Sequence, residues 1–189
     1  GPVETTTISE IKTKVVAAGK AVEIKGVIIT AVDTFGDYSN HAFVQDPAGG
    51  KNSGLFLFGA KYDGGQLSDL KPGDVVDVAG VVSHFTPKET PFNEGKVVVQ
   101  LEKSIITKKS TGAEPTPTVV TPTELKTDPD ATAYEGVLVK IENVKVRQGV
   151  DKYGQFQVDG SLQVDDELYA HSTVAVGDCL TITGIPVFF

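Results

Sequence analysis

Several residue types that usually carry chemistry are rare or missing in this sequence of 189 residues. It contains one cysteine, Cys179, and one arginine, Arg147, and it has no methionine or tryptophan. A single cysteine excludes a disulfide within the chain, since a disulfide needs two. No run of about 18 apolar residues occurs, which excludes the usual kind of transmembrane helix. The scarcity of arginine disfavours neutralisation of a nucleic-acid backbone, which supplies most non-specific affinity for nucleic acids.

The residues that are present do not form a recognisable catalytic or metal-binding motif. Three histidines, His41, His84 and His171, lie on different segments and share no metal-ligand spacing. There is no Gly-x-Ser-x-Gly elbow and no phosphate-binding loop. The acidic run Asp165–Glu167 lacks the alternating acidic positions and central glycine of a calcium loop. We therefore predict a protein that is not an enzyme, with no catalytic residues, no metal and no cofactor.

The apolar residues that do occur are mostly β-branched. Valine, isoleucine and threonine number 27, 10 and 19, whereas leucine contributes only 10 residues. β-Branched side chains fit a pleated surface and lose rotamer freedom in a helix. Twenty glycines and ten prolines supply the turns that many short strands need. The composition predicts an all-β fold.

The chain contains one module written twice. Three blocks recur in the same order, at offsets of 114, 110 and 104 residues: Thr7–Lys12 with Thr121–Lys126, Lys25–Thr30 with Glu135–Lys140, and Lys71–Gly80 with Ala175–Gly184. A period near 110 residues corresponds to a whole domain. We predict domain 1 at residues 1–109, a linker at 110–118 and domain 2 at 119–189. The alternating prolines of the linker favour an extended spacer that holds the two domains apart.

Each copy is predicted to begin with a short helical turn, because Thr7-x-x-Glu10 and Thr121-x-x-Glu124 have the form of a capping box. Strands are predicted in copy one at Ala21–Asp33, Ala42–Asp46, Leu55–Phe58, Val75–Val82 and Lys96–Leu101. The strands predicted in copy two are Tyr134–Val146, Gln155–Asp159, Leu162–Asp165 and Cys179–Ile185, with no equivalent of the fifth strand. The apolar alternation slips at Glu142-Asn143, which predicts a β-bulge there.

The pattern of strands and turns resembles the OB-like modules of secreted bacterial nucleases and related cell-envelope lipoproteins. The segments that carry the resemblance are Phe43–Pro47, Gly54–Phe58 and Leu70–Gly80 in copy one, and Thr121–Leu125, Tyr134–Val139 and Val176–Asp178 in copy two. The resemblance implies two tandem five-stranded OB-like barrels, the second lacking its last strand. It also implies an extracytoplasmic bacterial protein, secreted, periplasmic or surface-anchored, in which these modules accompany another activity.

The third strand of copy one offers a candidate binding surface. Leu55–Phe58 aligns with Leu162–Asp165, and at the positions of Phe56 and Phe58 copy two has glutamine and aspartate. Positions that accept polar residues face solvent, so we expect both phenylalanines outside and the two leucines in the core. OB-folds bind ligands across strands two and three, where outward aromatic rings stack on bases or sugars. The alternative is that both rings pack beneath a loop, for which Pro87–Gly95 is one candidate.

Other side chains near this strand complete the candidate set. Lys51, Lys61 and Tyr62 lie close to it in sequence and are expected to border a ligand groove, unless they are ordinary solvated loop residues. Phe43 aligns with Phe156, and we predict that it belongs to the core.

Charge limits the choice of partner. The formal net charge is −8, and residues 111–189, with 5 basic and 12 acidic side chains, account for −7 of it. Such a surface repels phosphate backbones and anionic membranes. We therefore expect a non-catalytic binding or spacer module of an exported bacterial protein, which engages a protein or glycan at the cell envelope. Two alternatives stay open: single-stranded nucleic-acid binding through the strand 2–3 face of domain 1, and an assembly role in which the edge of domain 2 accepts a strand or forms an oligomer.

Overall fold

The chain is mostly β, as the composition predicts. The computed structural model describes residues 3–34, 40–88, 96–170 and 173–188, and every structural statement below concerns these residues. The elements of copy one are β1 (Glu4–Thr5), α1 (Ile8–Lys12), β2 (Ala21–Asp33), β3 (His41–Gln45), β4 (Gly54–Phe58), β5 (Lys61–Tyr62), β6 (Asp74–Phe85) and β7 (Val98–Thr111). Those of copy two are β8 (Thr118–Val119), α2 (Pro122–Lys126), α3 (Asp130–Tyr134), β9 (Val139–Gln148), β10 (Phe156–Val158), β11 (Leu162–Val164) and β12 (Cys179–Gly184). Two short 3-10 turns lie at Leu67–Asp69 and Asp159–Ser161.

Both predicted helical turns are confirmed, and so are their caps. The Glu10 amide donates to Thr7 Oγ1 at 3.2 Å before α1, and the Glu124 amide donates to Thr121 Oγ1 at 3.3 Å before α2. In each box the glutamate carboxylate accepts a hydrogen bond from the threonine amide in return. A short parallel strand precedes each box, because β1 pairs with β2 and β8 pairs with β9.

The strands of copy one pair in a continuous order. β2 pairs with β3, β3 with β4, β4 with β7, β7 with β6, and β6 with β2, which returns the order to its first strand. Only the β4–β7 pairing in this order is parallel. The inward side chains form one cluster with those of α1, and its members include Ile11, Ile29, Leu101 and Ile106.

The last strand of copy one is much longer than predicted. Lys96–Leu101 was expected from its apolar run, whereas β7 extends to Thr111. The reason is its partner, since β6 pairs with β7 from Asp74 to Phe85 and supplies hydrogen bonds along the whole polar half of the strand. The predicted linker is accordingly shorter, because Thr111 ends β7 and Thr118 begins β8.

Copy two forms a second sheet in the order β11–β10–β9–β12, with β8 beside β9. Its first strand begins later than predicted, because Tyr134 belongs to α3 and β9 starts at Val139. No strand follows β12 in the described residues 185–188. The bulge predicted at Glu142-Asn143 is confirmed, since the β9–β12 register shifts there and Asn143 has a φ of +54°.

The middle block of the repeat was aligned incorrectly in the sequence. Gly80 pairs with Val22 in copy one, and its counterpart Gly184 pairs with Val139, so β9 follows β2 by 117 residues rather than 110. In this register Asn143 is equivalent to Gly26, and both residues have a left-handed backbone at the bulge, with φ of +54° and +66°. The two blocks at offsets 114 and 104 keep their alignment. The sequences around Gly26 and Gly136 are similar, but Gly136 precedes β9 and is not the structural equivalent of Gly26.

The two copies are in direct contact, so the extended linker does not hold them apart. Lys12 Nζ donates to the carboxylate of Glu135, and both side chains are only 2% exposed. Nearby, the Leu138 amide donates to Gln45 Oε1 at 2.9 Å. Between these contacts, Gly54 lies so close to the backbone of Gly136 that no side chain fits. The contact joins the start of β4 to the segment that enters β9.

Candidate functional site

The outer face of copy one is built by the alternation of side chains along β3, β4 and β7. Leu55 and Leu57 are fully buried in the inner cluster, as predicted. The rings between them in sequence point the other way, with Phe56 partly buried and Phe58 47% exposed. The prediction for these four residues is confirmed, and it follows from the two-residue period of a strand.

Phe43 is buried, as expected of a core residue, but it lies on the outer face and not in the inner cluster. It pairs with Phe56 across β3 and β4, and the two rings are tilted by 31° with their centres 5.0 Å apart. Its neighbours Ala42 and Val44 fill the inner cluster instead. The alignment with Phe156 was one residue out of step, and such a slip exchanges the two faces of a strand.

Four rings form one continuous surface, which we call the aromatic shelf: His41, Phe43, Phe56 and Phe58. His41 stacks on Phe58 with ring centres 4.7 Å apart and an interplanar angle of 25°. It also meets the edge of Phe56 at 5.2 Å, and Phe56 meets Phe58 at 6.3 Å. These separations lie in the range of favourable aromatic contacts. The shelf is therefore a preorganised surface rather than a set of separately mobile rings.

A hydrogen bond defines the tautomer of the neutral His41 ring. The Gly59 amide donates to Nδ1 at 3.2 Å, so the proton of the neutral ring is on Nε2. Burial lowers the pKa of His41, and the opposing effects of Asp33 and a backbone hydrogen bond at Asn40 are smaller. The lowered pKa favours the uncharged ring, which presents its Nε2–H donor at the shelf.

Carboxylates flank the shelf on neighbouring strands. Asp33, which is buried, pairs with His41 across β2 and β3, and the half-buried Glu102 pairs with Phe58 across β4 and β7. Glu102 Oε1 accepts hydrogen bonds from Ser83 Oγ at 2.8 Å and from Gln100 Nε2 at 3.1 Å. These contacts hold the carboxylate in one orientation at the position of β7 that pairs with Phe58.

The acidic loop of copy two also lies near this end of the shelf. Burial raises the pKa of Glu167, and the negative charges of Asp165, Asp33 and Asp166 raise it further. Since Asp33 belongs to β2, the two copies bring their carboxylates close enough to repel one another. The carboxylates around Asp33 therefore come from both copies.

The three other predicted site residues do not join the shelf. Lys51 Nζ forms an ion pair with Asp130 Oδ1 at 2.7 Å and lies 5.8 Å from the ring centre of Tyr134, so it contributes to the contact between the copies. Tyr62 packs against the inner cluster. Lys61 is exposed on β5 and has no described contact with the four rings. Residues 89–95 of the loop proposed to cover the phenylalanines lie outside the described part of the chain, and so does His171.

Copy two carries a polar surface at the matching position. Gln155 Nε2 donates to Asp165 Oδ2 at 2.7 Å, and Gln163 Nε2 donates to Gln155 Oε1 at 3.1 Å. A network of amides and a carboxylate thus takes the place of the aromatic rings. Only copy one presents an aromatic shelf among the described residues.

Sequence reasoning missed four members of the site: His41, Phe43, Asp33 and Glu102. His41 lies two residues before Phe43, so a correct assignment of Phe43 to the outer face would have identified it. Asp33 and Glu102 reach the site because their strands pair with β3 and β4, and no local sequence pattern indicates which strands pair.

Comparison with known proteins adds no assignment. No protein-family profile, no curated protein and no solved structure matches this chain. Among the described residues, no helix is both long enough and apolar enough to cross a membrane. The same residues contain no group of three or more His, Cys, Asp or Glu side chains placed to hold a metal ion.

Proposed function

We propose that this chain is a non-catalytic binding module of two OB-like domains, and that the aromatic shelf of copy one binds a glycan. The strand order of copy one supports the OB-like assignment, because its five main strands pair in a ring with the parallel contact between the third and the fifth. An OB-fold binds its ligand on the face of strands two and three, which are β3 and β4 here. The resemblance to envelope modules supports a location outside the cytoplasm.

The observation that carries the proposal is the stack of the half-buried His41 ring on the exposed Phe58 ring, beside the fixed carboxylate of Glu102. The C–H face of a sugar ring packs on an aromatic face, and its hydroxyl groups donate to carboxylate oxygens. Glu102 is held by Ser83 and Gln100, so it is oriented before any ligand arrives. Preorganisation of this kind lowers the entropic cost of binding.

Charge favours a glycan over a nucleic acid. A phosphate backbone needs cationic neighbours, yet the charged side chains closest to the shelf in strand pairing are Asp33 and Glu102. Lys51 is engaged with Asp130 instead of bordering the rings. Single-stranded nucleic acid remains the second candidate, since stacked aromatic rings also accept bases.

Isothermal titration calorimetry with soluble cello-, chito- and malto-hexaose tests the proposal. We expect one of these sugars to bind, and Phe58→Ala to weaken binding about tenfold through loss of the exposed stacking face. Tyr153→Ala is the matched control, because Tyr153 is an aromatic residue of copy two that is 66% exposed.

A labelled oligo-dT, titrated at low and moderate salt, tests the second candidate. Salt-sensitive binding that Phe58→Ala abolishes would replace the glycan with a nucleic acid. Absence of binding to every sugar and to the oligonucleotide would refute a ligand-binding role for the shelf.

A further inference from the structure

A row of side chains crosses the outer face of copy one from a closed end to an open end. The row is formed on β2, β3, β4 and β7 by Asp33, His41, Phe58 and Glu102. Asp33 is buried, His41 and Glu102 are half-buried, and Phe58 is 47% exposed. A ligand that reaches the shelf from solvent therefore first meets Phe58 and the side chains on either side of it.

Glu102 uses only one of its two carboxylate oxygens. Ser83 Oγ donates to Oε1 at 2.8 Å, and Gln100 Nε2 donates to the same atom at 3.1 Å. Among the described residues, none donates to Oε2 and none forms an ion pair with Glu102. Lys103, the nearest basic residue in sequence, is exposed. Two neutral donors thus hold the negative charge in place, and no described cation compensates it.

The rings beside Glu102 also favour a positive charge. The face of an aromatic ring attracts a cation that lies within about 6 Å of the ring centre. Phe58 and His41 stack with their centres 4.7 Å apart, so the two rings form one such surface. Burial lowers the pKa of His41, which favours its uncharged form and keeps a second positive charge out of the row. The carboxylate and the rings therefore favour the same ligand, one that combines an apolar face with a positive charge.

We propose that the shelf selects glycans that carry free amino groups over neutral and N-acetylated glycans. This inference rests on the proposed function and names the substrate class of the same site. The C–H face of an amino sugar packs on Phe58, and its ammonium group donates to Oε2 of Glu102. Neighbouring strands lie about 4.8 Å apart, so a substituent at the edge of a sugar ring on Phe58 comes within reach of Glu102.

Charge distinguishes the amine from the other substituents of a sugar. A hydroxyl group also donates to a carboxylate, but an ammonium group adds the attraction between opposite charges. Acetylation removes that charge, as it does for lysine. The net charge of −8 also draws polycationic chains towards the whole protein. This general attraction does not depend on Glu102, so a charge-matched variant separates it from the specific contact.

Isothermal titration calorimetry tests the selection in slightly acidic buffer, where sugar amines are protonated. Glucosamine hexaose, N-acetylglucosamine hexaose and cellohexaose are all β-1,4-linked and differ only at carbon 2 of each sugar. We expect the glucosamine hexaose to bind about tenfold more tightly than the other two, and added salt to reduce this difference. The comparison uses the wild-type chain and does not depend on the folding of a variant.

Glu102→Gln tests the contact that carries the preference. Glutamine keeps an oxygen for Ser83 and Gln100 but removes the charge, so the preference for the amine should fall to about twofold or less. Glu114→Gln is the matched control, because Glu114 is exposed between β7 and β8 and its replacement changes the net charge by the same amount. This control should keep the wild-type preference. Thermal melting of each variant checks that it is folded.

Three results would overturn the proposal. Equal affinity for the three sugars would refute the selection and leave the glycan proposal standing. A preference that survives in Glu102→Gln, or that falls equally in Glu114→Gln, would assign the effect to net charge. Binding of none of the sugars would refute the selection together with the proposed function.

Discussion

The contact of Gly54 with Gly136 makes a sharp prediction about how the two copies are joined. A Cβ atom built on Gly54 would lie 2.1 Å from the carbonyl oxygen of Gly136, 2.3 Å from its carbonyl carbon and 2.5 Å from the Val137 amide nitrogen. All three atoms belong to the backbone, so no side-chain rotation relieves the overlap. Carbon atoms in contact are about 3.5 Å apart, and Gly54→Ala must therefore move the segments by about 1 Å.

The energetic cost follows from that displacement. Overpacking costs about 1–3 kcal/mol. The hydrogen bond from the Leu138 amide to Gln45, at 2.9 Å, lies two residues from Gly136 and would be lost by a shift of this size, at a cost of about 1 kcal/mol. We expect Gly54→Ala to lower the free energy of unfolding by about 2–4 kcal/mol.

Urea unfolding measures this change, and Gly184→Ala is its matched control. Gly184 is also a strand glycine, but nothing lies within 4 Å of its added Cβ, and neither glycine has a positive φ. Gly184→Ala should be neutral or slightly stabilising, because alanine restricts the unfolded chain. Hydrogen exchange at the Leu138 amide should accelerate only in Gly54→Ala. Equal stability of the two variants would show that the copies do not pack through this contact.

Three further predictions concern stability. Lys12→Met should lower the free energy of unfolding in urea by about 3–5 kcal/mol, because it leaves the buried Glu135 carboxylate unpaired. Lys25→Met is the control and should cost less than about 1 kcal/mol, because the ion pair of Lys25 with Glu23 is exposed. Burial already raises the pKa of Glu135 and loss of the Lys12 charge raises it further, so this deficit should grow from pH 5 to pH 8, because the folded variant retains a proton that the unfolded carboxyl has lost; a deficit independent of pH would contradict the assignment. The pKa of His41 is lower in the folded chain than in the unfolded chain, so the wild type should lose stability as the pH falls below about 6.5. In thermal melting, His41→Gln should lose less stability over the same pH range, because this variant lacks the titrating ring. Gly26→Ala should cost about 1–2 kcal/mol from its φ of +66° alone, as no atom lies within 4 Å of the added Cβ; an unchanged melting curve would refute the strain.

Local sequence patterns were sufficient wherever the structure depends on neighbours in the chain. Both capping boxes, the bulge at Asn143 and the faces of Leu55–Phe58 follow from interactions within a few residues or from the period of a strand. The same holds for the turns before β6 and β12, where Gly73 and Gly177 have φ values of +95° and +97°. Each of these features is encoded by residue type and spacing alone.

Pairing between distant strands decided the rest. The 117-residue offset of β9, the outward position of Phe43 and the flanking carboxylates Asp33 and Glu102 all depend on register, which one residue of slippage reverses. The length of β7 depends on β6, and the contact between the copies depends on a lysine and a glutamate 123 residues apart. Sequence by itself determined an all-β chain with a repeated module and an outward pair of phenylalanines. Only the tertiary structure assembled the shelf, because side chains on separate strands meet through backbone hydrogen bonds that no local pattern specifies.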